Sequence, residues 1–113
     1  MIKATDYIST AFSAGDAEKM YDAVTKALET SNKVEIDFSD IEIFTTLFFN
    51  FAFAKILITI GTDKYNESIS LVNLSELGEF TYTHSYDNAV RYYNLSEEER
   101  AKQDEINSTP DVD

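Results

Sequence analysis

The passage from a strand pattern to a helix pattern across residues 33–60 constrains this chain more than any other feature. Val34, Ile36 and Phe38 alternate with Glu35 and Asp37, the two-residue period of a strand with one buried face. From Thr46 the chain is almost wholly apolar to Ile60, with neither Pro nor Gly before Gly61, a length that suits a helix better than a strand. Ile56-Leu-Ile-Thr-Ile taken alone would also suit a strand, being rich in β-branched residues. The strand stops near Asp40 and hands over to a helix entered through Thr45-Thr46. A small polar pair thereby stands at the carboxyl edge of a sheet, where α/β folds place their working residues.

The flanking segments fit the same architecture. Residues 2–10 suit a short edge strand. Ser13 is an N-cap for a helix to about Thr30, with Ala17, Met20, Tyr21, Val24, Ala27 and Leu28 on its buried face. Gly61 suits the C′ position of the Phe-rich helix. A polar connection, 62–68, leads to a strand at 69–74; Ser75, Glu76 and Gly78 punctuate a turn, 80–84 is extended, and a last helix starts at Ser85 with Ala89, Val90 and Tyr93 inward. The expected fold is α/β, a mostly parallel or mixed sheet of about four strands with 33–38 central, packed against three to four helices through right-handed crossovers. Residues 1–95 form the domain. In 96–113, Glu97, Glu98 and Glu99 suit the first turn of a short acidic helix, followed by a disordered tail.

The Phe-rich helix carries two apolar stripes. One gathers Phe49, Ala52, Phe53, Ile56 and Ile60, and the other Leu47, Phe51, Ala54 and Ile58. A helix apolar on two sides must be covered on two sides. The sheet covers one; a neighbouring helix, a second copy of the chain in a homodimer, or a partner covers the other.

Twenty-one acids against nine bases give a net charge of −12, which repels phosphate backbones and anionic lipid and disfavours direct nucleic-acid or membrane binding. Solubility accounts for such a surface, as does docking to a basic partner. The run 47–60 falls short of the ~20 residues that span a bilayer. The N-terminus lacks the basic and apolar regions of a signal peptide, and the chain has no Cys, so a cytoplasmic protein is expected.

Enzymatic activity is not expected, nor a cofactor. His84 is the single histidine, and the three glycines are not grouped into a phosphate loop. Asp37, Asp40 and Glu42 stand close enough in sequence to hold a magnesium ion in principle, but a solvated strand end is the more ordinary reading of them. Thr45 and Thr46 stand out. One of them caps the helix with its hydroxyl, and a phosphate added there would suit the helix dipole while placing close to two negative charges beside Asp40 and Glu42.

The run Val34-Glu-Ile-Asp-Phe-Ser-Asp-Ile-Glu-Ile-Phe-Thr-Thr resembles the signature of STAS domains, the anti-sigma-factor-antagonist fold, in which a hydrophobic-Asp-hydrophobic-Ser-Gly strand end precedes an Asp-Ser pair opening the second helix. It is closer still to the STAS-like family of unknown function. There a Phe-rich helix follows Asp-Phe-Ser, and a Gly-led connection gives a strand ending Asn-Leu-Ser, here Gly61 and then Ile69 to Ser75. The resemblance spans about residues 13–93. Asp40 stands where STAS domains have Gly, Thr45 where they have Asp, and Thr46 where the phosphorylated Ser sits. The resemblance implies a regulatory protein–protein interaction module whose partner is a histidine-kinase-like ATPase or sensor. It would bind through Asp40, Glu42, Phe44, Thr45, Thr46, Leu47, Asn50 and Phe51, with Thr46 or Thr45 as phosphoacceptor. The alternative that charge and size suggest is a small acidic phage-type inhibitor blocking the basic nucleic-acid surface of a host nuclease or defence complex.

Overall fold

The computed structural model describes residues 1–95; the acidic helix and tail expected at 96–113 lie outside them. Three strands, β1 (Ile2–Lys3), β2 (Val34–Asp37) and β3 (Ile69–Val72), form a parallel sheet in the order β1-β2-β3. Pairing of Ile2 with Ile36 and of Ile36 with Leu71 puts these side chains on one face; Lys3, Asp37 and Val72 line up on the other. The alternation along β2 does what its sequence expects. Val34, Ile36 and Phe38 are buried while Glu35 is exposed. Parallel sheets usually have both faces covered, yet here the second face is polar, and Lys3, Glu35 and Ser70 are exposed.

Among the described residues four helices accompany the sheet. The first, α1 (Ala14–Leu28), opens with a capping box in which the Ser13 hydroxyl accepts from Asp16 N and the Asp16 carboxylate accepts from Ser13 N. Next, α2 (Thr46–Ile60) is α-helical at Thr46–Phe49 and Lys55–Ile60, with a π-helical stretch, Asn50–Ala54, between them. It is followed by α3 (Thr62–Ser68) and α4 (Glu76–Tyr93). Among the described residues no single helix is long and apolar enough to cross a membrane.

The core is aromatic. Phe38, directly after β2, meets Phe44, Phe48, Phe49 and Phe53 at centroid distances of 6.0, 6.4, 6.2 and 6.2 Å. Phe44 stacks on Phe49 at 5.8 Å, and Tyr82 of α4 meets Phe49 edge-on at 5.2 Å. Such pairs add ~0.5–1.5 kcal/mol each beyond the area they bury, so one residue at the end of β2 organises the loop before α2, α2 itself and, through Phe49, α4. On the other flank of α2, Lys55 Nζ sits 4.4 Å over the Tyr21 ring of α1.

Several expectations are corrected. Residues 62–68 are helical rather than a polar connection, because Tyr65 is buried and its hydroxyl lies 2.7 Å from that of Tyr82. Burial pushes the Tyr65 hydroxyl up, and that of Tyr82 to about 12. The fourth strand expected at 80–84 is the middle of α4. The Ser75 hydroxyl caps that helix at Gly78 N, and Thr81 satisfies its own hydroxyl on Leu77 O, so tertiary packing overrides the strand-like Phe-Thr-Tyr-Thr pattern. Gly78 belongs to this helix rather than to a turn; a Cβ there would stand 3.0 Å from the Phe44 ring. The N-terminal edge strand is also shorter than expected, giving way to a 3₁₀ turn, Ala4–Asp6. In the last helix Ala89 is buried, but Tyr93 is partly exposed, with its hydroxyl beside Gly61.

Candidate functional site

In a parallel sheet each strand hands over to the next helix at its carboxyl edge, and the N-terminal caps of α1, α2 and α4 follow β1, β2 and β3 there. The loop between β2 and α2 is held by an Asx turn. Asp37 Oδ1 accepts from Ser39 N at 2.9 Å, Ser39 Oγ at 2.7 Å and Asn73 Nδ2 at 3.0 Å. These donors, the Ser39 hydroxyl foremost and then Asn73, hold the Asp37 carboxyl at about 2, well below its ordinary value. Asp40 and Asn73 adopt positive φ, 70° and 59°, conformations that Asp and Asn tolerate better than most residues. The position where STAS domains have Gly is thus a left-handed one, and Asp40 occupies it.

The structure separates the two threonines. Thr45 is the N-cap of α2, its hydroxyl accepting from Phe48 N at 3.1 Å and donating to Phe12 O at 2.7 Å. Two backbone bonds reinforce that tie, Ala11 N to Ile43 O and Thr45 N to Ala11 O, both 2.9 Å. Thr46 occupies the first helical position, half-buried, and its hydroxyl makes no hydrogen bond among the described residues. The pair therefore divides into an engaged hydroxyl and a free one.

The other expected binding residues also fall into two groups. Asp40, Glu42, Leu47, Asn50 and Phe51 are exposed. Phe44 is buried under Phe38 and Phe49, so it supports this surface from beneath. Asn50 is bound on one side, accepting from Ser85 Oγ at 2.6 Å, a bond that joins α2 to α4 at the start of the π-helical stretch. Among the described residues no three carboxylate or histidine groups converge as a metal site, and Asp37, Asp40 and Glu42 do not assemble one.

The second stripe of α2 is covered only along part of its length. Ala54 and Ile58 are half-buried beside α4, whereas Leu47 and Phe51 are 46% and 44% exposed. Sequence reasoning did not single out four further exposed apolar side chains: Phe12 and Ile43, whose backbones belong to the tie at the α2 mouth, and Leu77 and Phe80 in the first turns of α4. Reading 75–78 as a turn hid Leu77, and reading 80–84 as extended hid Phe80. Their signal is their spacing of three on a helix, opposite the buried side of Gly78, Thr81, Ser85 and Ala89.

No curated protein and no solved structure shows a significant match to the chain. The family model for the STAS-like domain of unknown function (DUF4325) matches residues 16–79, more than half of the 113 residues. That segment runs from the first turn of α1 to the first turn of α4 and includes β2, the Asx-turned loop, the Thr pair and the Phe-rich helix. The chain belongs to the STAS-like domain family of unknown function.

Proposed function

We propose that this protein is a non-enzymatic regulatory module that binds a protein partner through the loop before α2 and the exposed side of that helix, and that Thr46 is its switch. The observation that carries the reading is the division of labour between the threonines. Thr45 spends its hydroxyl on fastening the loop, while Thr46, one residue on, leaves an uncommitted hydroxyl in the first turn of a 15-residue helix beside Leu47. A phosphate on Thr46 suits the helix N-terminus and leaves the cap in place. On the outer surface it sets close to two negative charges among exposed apolar side chains and beside Asp40 and Glu42, which opposes docking by desolvation and repulsion. The resemblance to anti-sigma-factor antagonists supports a histidine-kinase-like ATPase or sensor as the partner, in the cytoplasm.

The test is photo-crosslinking in the native cell, with a benzoylphenylalanine probe at Ile43. The expected result is one adduct, identified by mass spectrometry as an ATP-binding protein, that persists in Thr46→Ala and is lost in Thr46→Asp. An adduct indifferent to Thr46→Asp, or the same protein captured by a probe at Glu35 on the far face of the sheet, overturns the reading.

A further inference from the structure

The sheet ends at β3 on an edge that no strand among the described residues completes. Phe38 N donates to Val72 O at 3.0 Å, so Val72 and, two residues earlier, Ser70 turn their backbone groups to β2. Leu71 between them turns its N–H and C=O the other way, and neither finds a hydrogen bond among the described residues. Ile69 shares that outward phase; its N–H is spent on Tyr65 O, which leaves its C=O open. Sheet edges are ordinarily blunted by charge, by Pro or by a cover, yet neither a charged residue nor Pro stands between Glu67 and Glu76. The side chains tell the same story. Ile69 and Leu71 share the face of Val34 and Ile36, but they form one wall of an open groove of about 420 Å³ whose other wall is Glu79, Tyr82, Thr83 and Tyr86 of α4. Those four fall at i, i+3, i+4 and i+7, a stripe separate from the buried Gly78, Thr81, Ser85 and Ala89. No residue of β2 lines the groove, so it opens on the outer side of β3, and α4 roofs the place that a fourth strand would take.

We infer that the outer edge of β3 is a second docking site, which takes an extended segment of a protein partner as a fourth strand. Its backbone pairs with the Leu71 N–H and C=O and the Ile69 C=O, and alternate apolar side chains enter the groove against Leu71, Tyr82 and Tyr86. In strand addition the main-chain bonds supply affinity and the pockets for alternate side chains supply specificity. A Lys or Arg of the segment meets Glu79, the one charged side chain that lines the groove. Two other occupants fit less well. Residues 96–113 of this chain hold seven acids against two bases, the wrong sign for Glu79. A second copy paired antiparallel through Leu71 would set its own α4 on the same face of the joined sheet, and both helices would claim the strip beside β3. The site lies apart from the α2 mouth and does not depend on Thr46.

The probe is the synthetic peptide acetyl-Lys-Thr-Val-Thr-Val-Thr-amide, titrated into the full-length protein and followed by NMR with amide hydrogen exchange. In the free protein the Leu71 amide should exchange fast and the Val72 amide slowly; saturating peptide should slow Leu71 at least about tenfold and shift Tyr82, Thr83 and Tyr86. Two further peptides carry N-methyl groups on one or the other alternate set of amides, only one of which can face β3. One should bind and the other should not. Glu79→Gln should weaken binding several-fold more than Glu29→Gln, which removes the same charge from the end of α1, and Thr83→Arg, which fills the groove, should abolish it. Absence of binding, equal behaviour of the two methylated peptides, equal effects of the two Gln changes, or binding without protection of Leu71 overturns the inference. A Leu71 amide already protected in the free protein overturns it as well: in a monomer the chain covers its own edge, and in a dimer a second copy does. The peptide should bind Thr46→Asp as well as it binds the unaltered protein, so failure here leaves the proposed switch standing, and failure of the Thr46 crosslinking leaves this edge standing.

Discussion

Both sides of α2 carry an apolar stripe in sequence, and the two stripes differ in environment. Phe48, Phe49, Ala52, Phe53, Ile56 and Leu57 are buried; opposite them Leu47 and Phe51 are exposed, with Ala54 and Ile58 half-covered. Phe49 touches rings from β2, the preceding loop, α2 and α4, whereas Phe51 has no ring partner among the described residues. Composition thus sets how much apolar surface a helix has, while the neighbours available on each side set how much is withdrawn from water. What remains outside contributes little to folding and is available for association.

Substitutions can break that contrast. The largest effect is expected for Phe49→Ala, which should cost about 3–5 kcal/mol by leaving a cavity among five rings, a loss readable as a lowered urea midpoint; a loss below about 1 kcal/mol would show the aromatic core to be loosely packed. Thr45→Ala should cost about 1–2 kcal/mol, the upper part of the capping range, because the hydroxyl also holds Phe12 O. The same change at Thr46 should fall within about 0.5 kcal/mol, and equal losses at the two positions would erase the distinction between them. A smaller effect belongs to Asp37. Its folded-state pKa of about 2 lies below the ordinary 3.8, so its stabilisation is complete above about pH 4 and is lost as the pH falls from there toward 2. Asp37→Asn should flatten that part of an acid-unfolding curve followed by circular dichroism, and an unchanged acid limb would mean that the Ser39 and Asn73 hydrogen bonds do not persist in solution. Smallest of all, Phe51→Ser should leave the thermal midpoint nearly unchanged, within about 0.5 kcal/mol. Unfolding by Phe51→Ser would move that residue into the core and abolish the outer surface.

The sequence made some of this legible through local chemistry. The Val34-to-Phe38 alternation, the Ser13 cap and Gly61 at φ 93° are each decided by a few adjacent residues, and each appears close to where reading places it. Asp40, which stands where STAS domains have Gly, adopts φ 70°, a conformation the sequence reading did not draw from that substitution. What escaped was decided at long range. The Phe80-Thr-Tyr-Thr pattern is strand-like until Tyr82 finds Phe49 and Tyr65, and 62–68 reads as a connection until Tyr65 is seen to be buried. In the candidate site the Thr pair and the Leu47–Phe51 ridge were legible; Phe12 was not, since only the fold ties it to the mouth of α2.

That dependence on the fold gives the Phe12–Thr45 tie a wider meaning. The carboxyl edge beside the Thr pair is assembled from stretches far apart in sequence, with the N-terminal arm fastened to the α2 mouth by one hydroxyl bond and two backbone bonds. No excised peptide from any one stretch reproduces it. A partner that recognises this edge therefore reads the integrity of the domain along with its identity, and an unfolded or clipped chain is silent to it even at high concentration.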